Sequence, residues 1–157
     1  MGTPIAKKPS MYPMDLSASM DKIDVSIDRN RVLVADDSEE LRALVRAVLE
    51  RDGFEVVEAA DGRELLRALG VGVETRPKRP FDLVISDVRM PFASGLDVLG
   101  TLKSMHMSIP VILMTAFGDR ETHARAHELG AVLTLDKPLG LLDLRDTVRK
   151  LLDPPWW

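Results

Sequence analysis

Five polar residues stand at or just past the ends of short apolar runs in this 157-residue chain. They are Asp36 and Asp37 after Val32 to Ala35, Asp87 after Leu83 to Ile85, Thr115 after Val111 to Met114, and Lys137 after Ala131 to Leu135. Three carboxylates brought into one cleft repel one another and raise each other's pKa, a cost that a cation removes. Magnesium suits such a set, because it takes near-octahedral oxygen ligands, keeps several waters and is satisfied by two or three carboxylates, a carbonyl and a phosphoryl oxygen. The absence of cysteine and of clustered histidine argues against zinc or copper. Lys137 adds a flexible positive charge and Thr115 a hydroxyl donor. A carboxylate, a metal site, an ammonium and a hydroxyl together describe phosphoryl transfer to an aspartate. Taken singly the same residues are bland: Asp36 and Asp37 suit the positive start of a helix, and Thr115 and Lys137 are ordinary surface residues. Only the combination carries the chemistry.

That combination needs elements that gather it. From Arg31 the chain alternates five apolar runs with five amphipathic stretches, the pattern of βαβ units and a parallel sheet. In an open parallel sheet the residues past the strand ends collect along one rim, where ligands bind. The run from Phe54 to Ala59 carries Glu55 and Glu58, which a strand covered on both faces would bury unpaired, so it is placed at an edge. The other four runs are almost wholly apolar, as strands covered on both faces must be. Leu41, Leu44, Val45, Val48 and Leu49 recur at helical spacing and predict one apolar stripe, with Ser38 as its N-cap and Gly53 as its stop. Leu141, Leu144, Val148, Leu151 and Leu152 repeat that logic in the last helix, which Pro154 and Pro155 end. The fourth helix, about residues 119–129, offers only Ala124, Ala126 and Leu129 as apolar surface and is read as a moving part.

Length and composition allow one ordinary domain. The division expected is an irregular or disordered arm over 1–28, a single domain over 29–153 and a short tail over 154–157, which leaves no room for an output domain. No apolar run approaches the roughly 18 residues of a membrane span and no signal-peptide core precedes the domain, so a cytoplasmic location is expected. A net charge of −4 gives no electrostatic reason to approach nucleic acid or an anionic membrane. Gly70-Val71-Gly72 follows a helix and lacks a third glycine, which makes a dinucleotide loop a poor reading. His123 and His127 have a chelating i, i+4 spacing but no third ligand, and are read as a solvated face. Trp156 and Trp157 are read as packing on their own domain, with a partner contact as the alternative.

Across Arg31 to about Leu152 the chain resembles the receiver domains of two-component response regulators, of the chemotaxis-regulator kind. The matching stretches are Val32-Leu33-Val34-Ala35-Asp36-Asp37-Ser38, Ala59-Ala60-Asp61-Gly62, Asp87-Val88-Arg89-Met90-Pro91, Ser94-Gly95-Leu96, Met114-Thr115-Ala116-Phe117-Gly118, Leu129-Gly130-Ala131 and Asp136-Lys137-Pro138. Each is weak alone, and their order and spacing are specific. The resemblance implies an α/β flavodoxin-like fold, a doubly wound five-stranded parallel sheet in the order 2-1-3-4-5. It implies Asp36 and Asp37 as the acidic pair for Mg2+, Asp87 as phosphoacceptor and metal ligand, and Arg89 as donor of a backbone carbonyl to the metal. Thr115 would be the switch hydroxyl, Lys137 the phosphoryl-binding lysine, and the Lys137–Pro138 peptide cis. A histidine kinase or histidine phosphotransfer protein would be the donor and an unidentified protein the downstream partner. Dimerisation through the fourth and fifth helices stays open.

Two positions depart from the family pattern, Thr134 and Leu139, the latter standing where phenylalanine commonly follows the lysine-proline pair. Thr134 stands where most receivers carry the aromatic ring that turns inward with the switch threonine, so the usual coupling cannot operate in its usual form. Arg89 and Phe117 flank the path of the hydrolytic water, and their size predicts slow self-dephosphorylation. The function expected is therefore a phosphoacceptor receiver that is not an enzyme beyond its own phosphorylation and slow dephosphorylation. Two rivals stand beside it: a phosphorylation-independent interaction module on the same fold, and a magnesium-dependent phosphatase of the haloacid-dehalogenase kind. The adjacent Asp36-Asp37 pair, in place of an Asp-x-Asp motif, argues against the phosphatase.

Overall fold

In the computed structural model, residues 29–72 and 80–152 are described. The expectations for the 1–28 arm, for most of the Gly70–Pro80 loop, for the prolines after the last helix and for Trp156 and Trp157 fall outside them.

Alternation of elements follows the apolar runs. Strands β1 (Arg31–Ala35), β2 (Glu55–Ala59), β3 (Leu83–Asp87), β4 (Val111–Thr115) and β5 (Leu133–Asp136) alternate with helices α1 (Glu39–Arg51), α2 (Gly62–Ala68), α3 (Gly95–Ser104), α4 (Arg120–Glu128) and α5 (Leu141–Leu152). All pairings are parallel, in the order β2-β1-β3-β4-β5. Parallel pairing forces each connection back across a face of the sheet, and the period-2 alternation of strand side chains then gives two cores. Val32, Val34, Leu83, Ile85, Ile112 and Met114 pack under Val45 and Leu49 of α1 and Leu144 and Val148 of α5. Leu33, Ala35, Val84, Val111 and Leu113 pack on the other face with Leu65, Val98, Leu99, Leu102 and Ala126 from α2, α3 and α4. Each fully buried leucine or isoleucine contributes about 1.5–3 kcal/mol, so these two layers hold the rim in place.

Local signals place the element ends. Ser38 Oγ accepts the Leu41 amide at the start of α1, and Gly53, at φ 94°, follows its end. Ser94 and Asp97 close a reciprocal capping box on α3, and Asp119 caps α4 through the Thr122 amide. Gly95 opens α3 so close to β3 that a Cβ there would lie 2.4 Å from the Asp87 carbonyl oxygen.

β2 is an edge strand, and its acids are paired. Glu55 meets Arg31 at 3.2 Å, while Glu58 meets Arg42 at 3.2 Å and Arg46 at 2.9 Å. Two expectations need correction. The apolar fifth run is the opposite edge and not a doubly covered strand: Leu133 is 37% exposed, because β5 is the last of the described strands in the sheet. Leu44 is 47% exposed although it shares the α1 stripe, since the helix buries a face centred on Val45 and Leu49 and Leu44 falls at its margin. The weak fourth helix is as expected, with Ala126 alone buried.

Candidate functional site

The strand register converts the order of the chain into a cleft. β1 ends at Ala35 and delivers Asp36 and Asp37, β3 ends on Asp87, β4 ends on Thr115, and β5 ends on Asp136, one residue before Lys137. Asp87 stands opposite Met114 and Thr115 opposite Asp136, so all five residues reach the same rim. Asp36, Asp87 and Thr115 are buried, and Asp37 is exposed at the mouth. Asp36, Asp37 and Asp87 each bring one carboxylate oxygen to within 4.8 Å of the others. Lys137, which lies 101 positions from Asp36 in the chain, donates from Nζ to Asp36 Oδ2 at 2.8 Å and lies 3.2 Å from Asp87 Oδ2.

Hydrogen bonds fix the acids. Asp36 Oδ1 accepts the Ser38 amide at 2.8 Å, and the Asp36 carbonyl accepts Arg42 Nη1 at 2.6 Å. Asp87 Oδ1 accepts the Arg89 amide at 3.4 Å, a long contact that leaves this oxygen weakly held. Thr115 Oγ1 accepts the Phe117 amide at 3.0 Å, and the Thr115 carbonyl accepts the Lys137 amide at 2.8 Å across a cis Lys137–Pro138 peptide. Arg89 lies over the Phe117 ring at the mouth, 4.2 Å from its centre.

Electrostatics show what the cleft lacks. Burial, and then the charge of Asp36, push the Asp87 carboxyl above the usual carboxylate range; the attraction of Lys137 and the Arg89 amide do not offset them. Burial opposes the charge on Lys137, but the Asp36 hydrogen bond and the charges of Asp87 and Asp36 outweigh it and raise its pKa above the ordinary lysine value. Burial thus leads for Asp87 and the facing carboxylates for Lys137, and among the described residues the Lys137 ammonium faces two acids, Asp36 and Asp87, at once. An all-oxygen donor set short of positive charge fits a hard divalent cation such as Mg2+.

All the sequence-predicted side chains of the site are therefore brought together, and Arg89 lies at its mouth. His123 and His127 are not: among the described residues the acid trio is the one cluster with metal-binding spacing. His123 instead lies with Nε2 2.9 Å from Asp136 Oδ1, a contact the solvated-face reading missed. Arg42 was missed as well, and nothing in its spacing marks it.

The sequence profile described as the response regulator receiver domain matches residues 32–149, and the chain belongs to that family. It is 34% identical to sporulation initiation phosphotransferase F of Bacillus subtilis over 122 residues, 78% of this chain and 93% of that protein. It is 35% identical to the transcriptional regulatory protein CpxR of Escherichia coli over 128 residues, 82% of this chain but 51% of CpxR, so it spans about half the length of that relative. Among solved structures, chemotaxis response regulator CheY4 of Vibrio cholerae matches with a TM-score of 0.69 and 31% identity, covering 80% of this chain and 100% of that one. TrrA of Thermotoga maritima, solved in complex with Mg(2+)-BeF, matches with a TM-score of 0.66 and 30% identity over 78% of this chain and 99% of that one. No helix among the described residues is long and apolar enough to cross a membrane.

Proposed function

We propose that this receiver is a phosphoacceptor in two-component phosphorelay signalling, phosphorylated on Asp87 by a histidine kinase or a histidine phosphotransfer protein in the cytoplasm. The observation that carries this reading is the position of Lys137 Nζ between Asp36 and Asp87, with Asp37 at the mouth of the same cleft. Asp36, Asp37, Asp87 and the Arg89 backbone carbonyl would hold Mg2+, which when bound supplies the positive charge the carboxylates lack and draws off negative charge developing on the phosphoryl oxygens.

Asp87 attacks the donor's phosphorus in line through a carboxylate oxygen, of which the weakly held Oδ1 is the freer, and the O–P bond forms as the P–N bond to the donor histidine breaks and its imidazole leaves. Lys137 leaves its contact with Asp87 and turns its ammonium to a phosphoryl oxygen while keeping the Asp36 bond. The Thr115 hydroxyl proton, which the Phe117 amide contact does not use, is donated to another phosphoryl oxygen. Rotation of Thr115 disturbs that amide contact and biases the following loop and α4 between two arrangements. Output then passes to a protein partner. The chain performs its own phosphorylation and a slow dephosphorylation, with no turnover of a separate substrate.

Incubation with Mg2+ and acetyl phosphate followed by intact mass tests the reading. The expected result is a gain of about 80 Da, one phosphoryl group, absent in Asp87→Asn and absent with chelator. Labelling of the Asp87→Asn protein, or no gain in the parent, would reject it.

A further inference from the structure

The β4–α4 connection lies directly on a side-chain pair that neither the phosphoryl chemistry nor the core uses. A Cβ on Gly118 would fall 1.6 Å from Asp136 Oδ1 and 3.0 Å from His123 Nε2, so the loop backbone rests against both groups. The two are bonded to each other at 2.9 Å, joining the second turn of α4 to the last residue of β5. A carboxylate only accepts, so His123 donates from Nε2. Asp136 is the register partner of Thr115, and the next residue, Lys137, gives its amide to the Thr115 carbonyl.

Little else holds this end of α4. Residues 116–121 are all exposed, and the buried Ala126, with the Lys103 bond to the Glu128 carbonyl, anchors the opposite end. The aromatic ring that position 134 would need for coupling to the switch threonine is absent, since a threonine stands there.

We propose that His123 and Asp136 are the positioning pair that transmits the state of the Asp87 site to α4 in this chain. The proposal rests on the phosphoacceptor reading above. Thr115 cannot turn to a phosphoryl group and keep its present bond to the Phe117 amide, so Ala116 to Gly118 shift. Gly118 has no clearance over the Asp136 carboxylate, and the shift either displaces that carboxylate or lifts from it. Because His123 is fastened to the same oxygen, the first turns of α4 follow. Neither residue touches the phosphoryl group or the acids, so phosphorylation itself does not depend on them.

Amide NMR spectra recorded with and without Mg2+ and beryllofluoride, beside intact mass after acetyl phosphate, test the pair in the full chain. His123→Ala is expected to gain the phosphoryl mass at the parent rate, while the response of amides 120–128 shrinks roughly two- to fivefold, the factor by which one side-chain hydrogen bond biases an equilibrium. His123→Gln, whose amide nitrogen can reach the same oxygen, is expected to restore the response, and Asp136→Ala to lose it. The double variant His123→Ala with Asp136→Ala is expected to lose no more than either single change. The His123 side chain is half-buried and that of Asp136 largely exposed, and neither belongs to either core layer, so the variants keep the core intact. A full α4 response in His123→Ala or Asp136→Ala, or no rescue by glutamine, overturns the coupling and leaves the phosphoacceptor reading standing. No mass gain in the parent overturns the phosphoacceptor reading, and the coupling with it.

Discussion

The guanidinium carbon of Arg89 stands 4.2 Å from the centre of the Phe117 ring, so the residues two past Asp87 and two past Thr115 are in contact. The resemblance to receivers makes these two positions the flanks of the path of the hydrolytic water. Phe117→Ala is expected to speed loss of the phosphoryl group about two- to fivefold, because an exposed cation–π contact is worth about 0.5–1 kcal/mol. The decay of phosphorylated protein in Mg2+, followed by intact mass, measures it. Decay within seconds in the parent would show that the stack does not shield the site.

Asp87 is a destabilising group when ionised and unneutralised. Its native pKa is raised by burial and by Asp36, so the folded state holds its proton more tightly than the unfolded state does. The sign follows: in metal-free protein this residue weakens the fold as pH rises from the ordinary carboxylate value through the raised native one, and the loss is complete above the latter. Asp87→Asn removes that loss. A Tm gain of roughly 2–6 °C at neutral pH, on the order of 1 kcal/mol, is expected by thermal denaturation in chelator, with the gain vanishing in acid.

Lys137 is the ammonium that bridges Asp36 and Asp87, and its removal leaves the two acids facing each other. Lys137→Ala is expected to abolish phosphorylation and to cost about 1–3 kcal/mol of stability at neutral pH, since a buried charge loses its partner. Added Mg2+ or a lower pH should recover part of that stability but not the phosphorylation. Urea denaturation at two pH values, with and without the metal, distinguishes these terms.

Gly95 is held by lack of space. Its substitution by alanine would put a Cβ 2.4 Å from the Asp87 carbonyl oxygen, a backbone atom that cannot turn aside. A loss of about 1–3 kcal/mol is expected from urea denaturation, together with slower phosphorylation as Asp87 is displaced. An alanine variant as stable as the parent would mean that α3 can back away from β3.

The site was legible in the sequence to the extent that parallel strands make it so. Once Val32 to Ala35, Leu83 to Ile85 and Val111 to Met114 are read as strands of one sheet, Asp36, Asp87 and Thr115 have nowhere to go but a common rim. The edge position of β2 was legible for a related reason, because Glu55 and Glu58 need partners at a margin. Burial of individual helix residues was less so: Leu44 obeys the period of α1 and is exposed, since the period gives a stripe but not its width. β5 misled for the opposite reason, being apolar although an edge strand. The His123–Asp136 contact could not be read at all. It depends on how far α4 leans toward β5, and a helix with one buried residue carries almost no pattern from which to infer its tilt.

The Arg42 guanidinium, which gives one nitrogen to the Asp36 carbonyl and another to Glu58, ties the outermost strand to the cleft. β2 contributes none of the acids, yet through Glu58 it holds a positive charge beside them. Loss of Glu58 would unmoor that charge within reach of the acids, where it could compete with a divalent ion for their oxygens. A substitution at the sheet margin would thus surface as weakened metal affinity, several residues from any ligand.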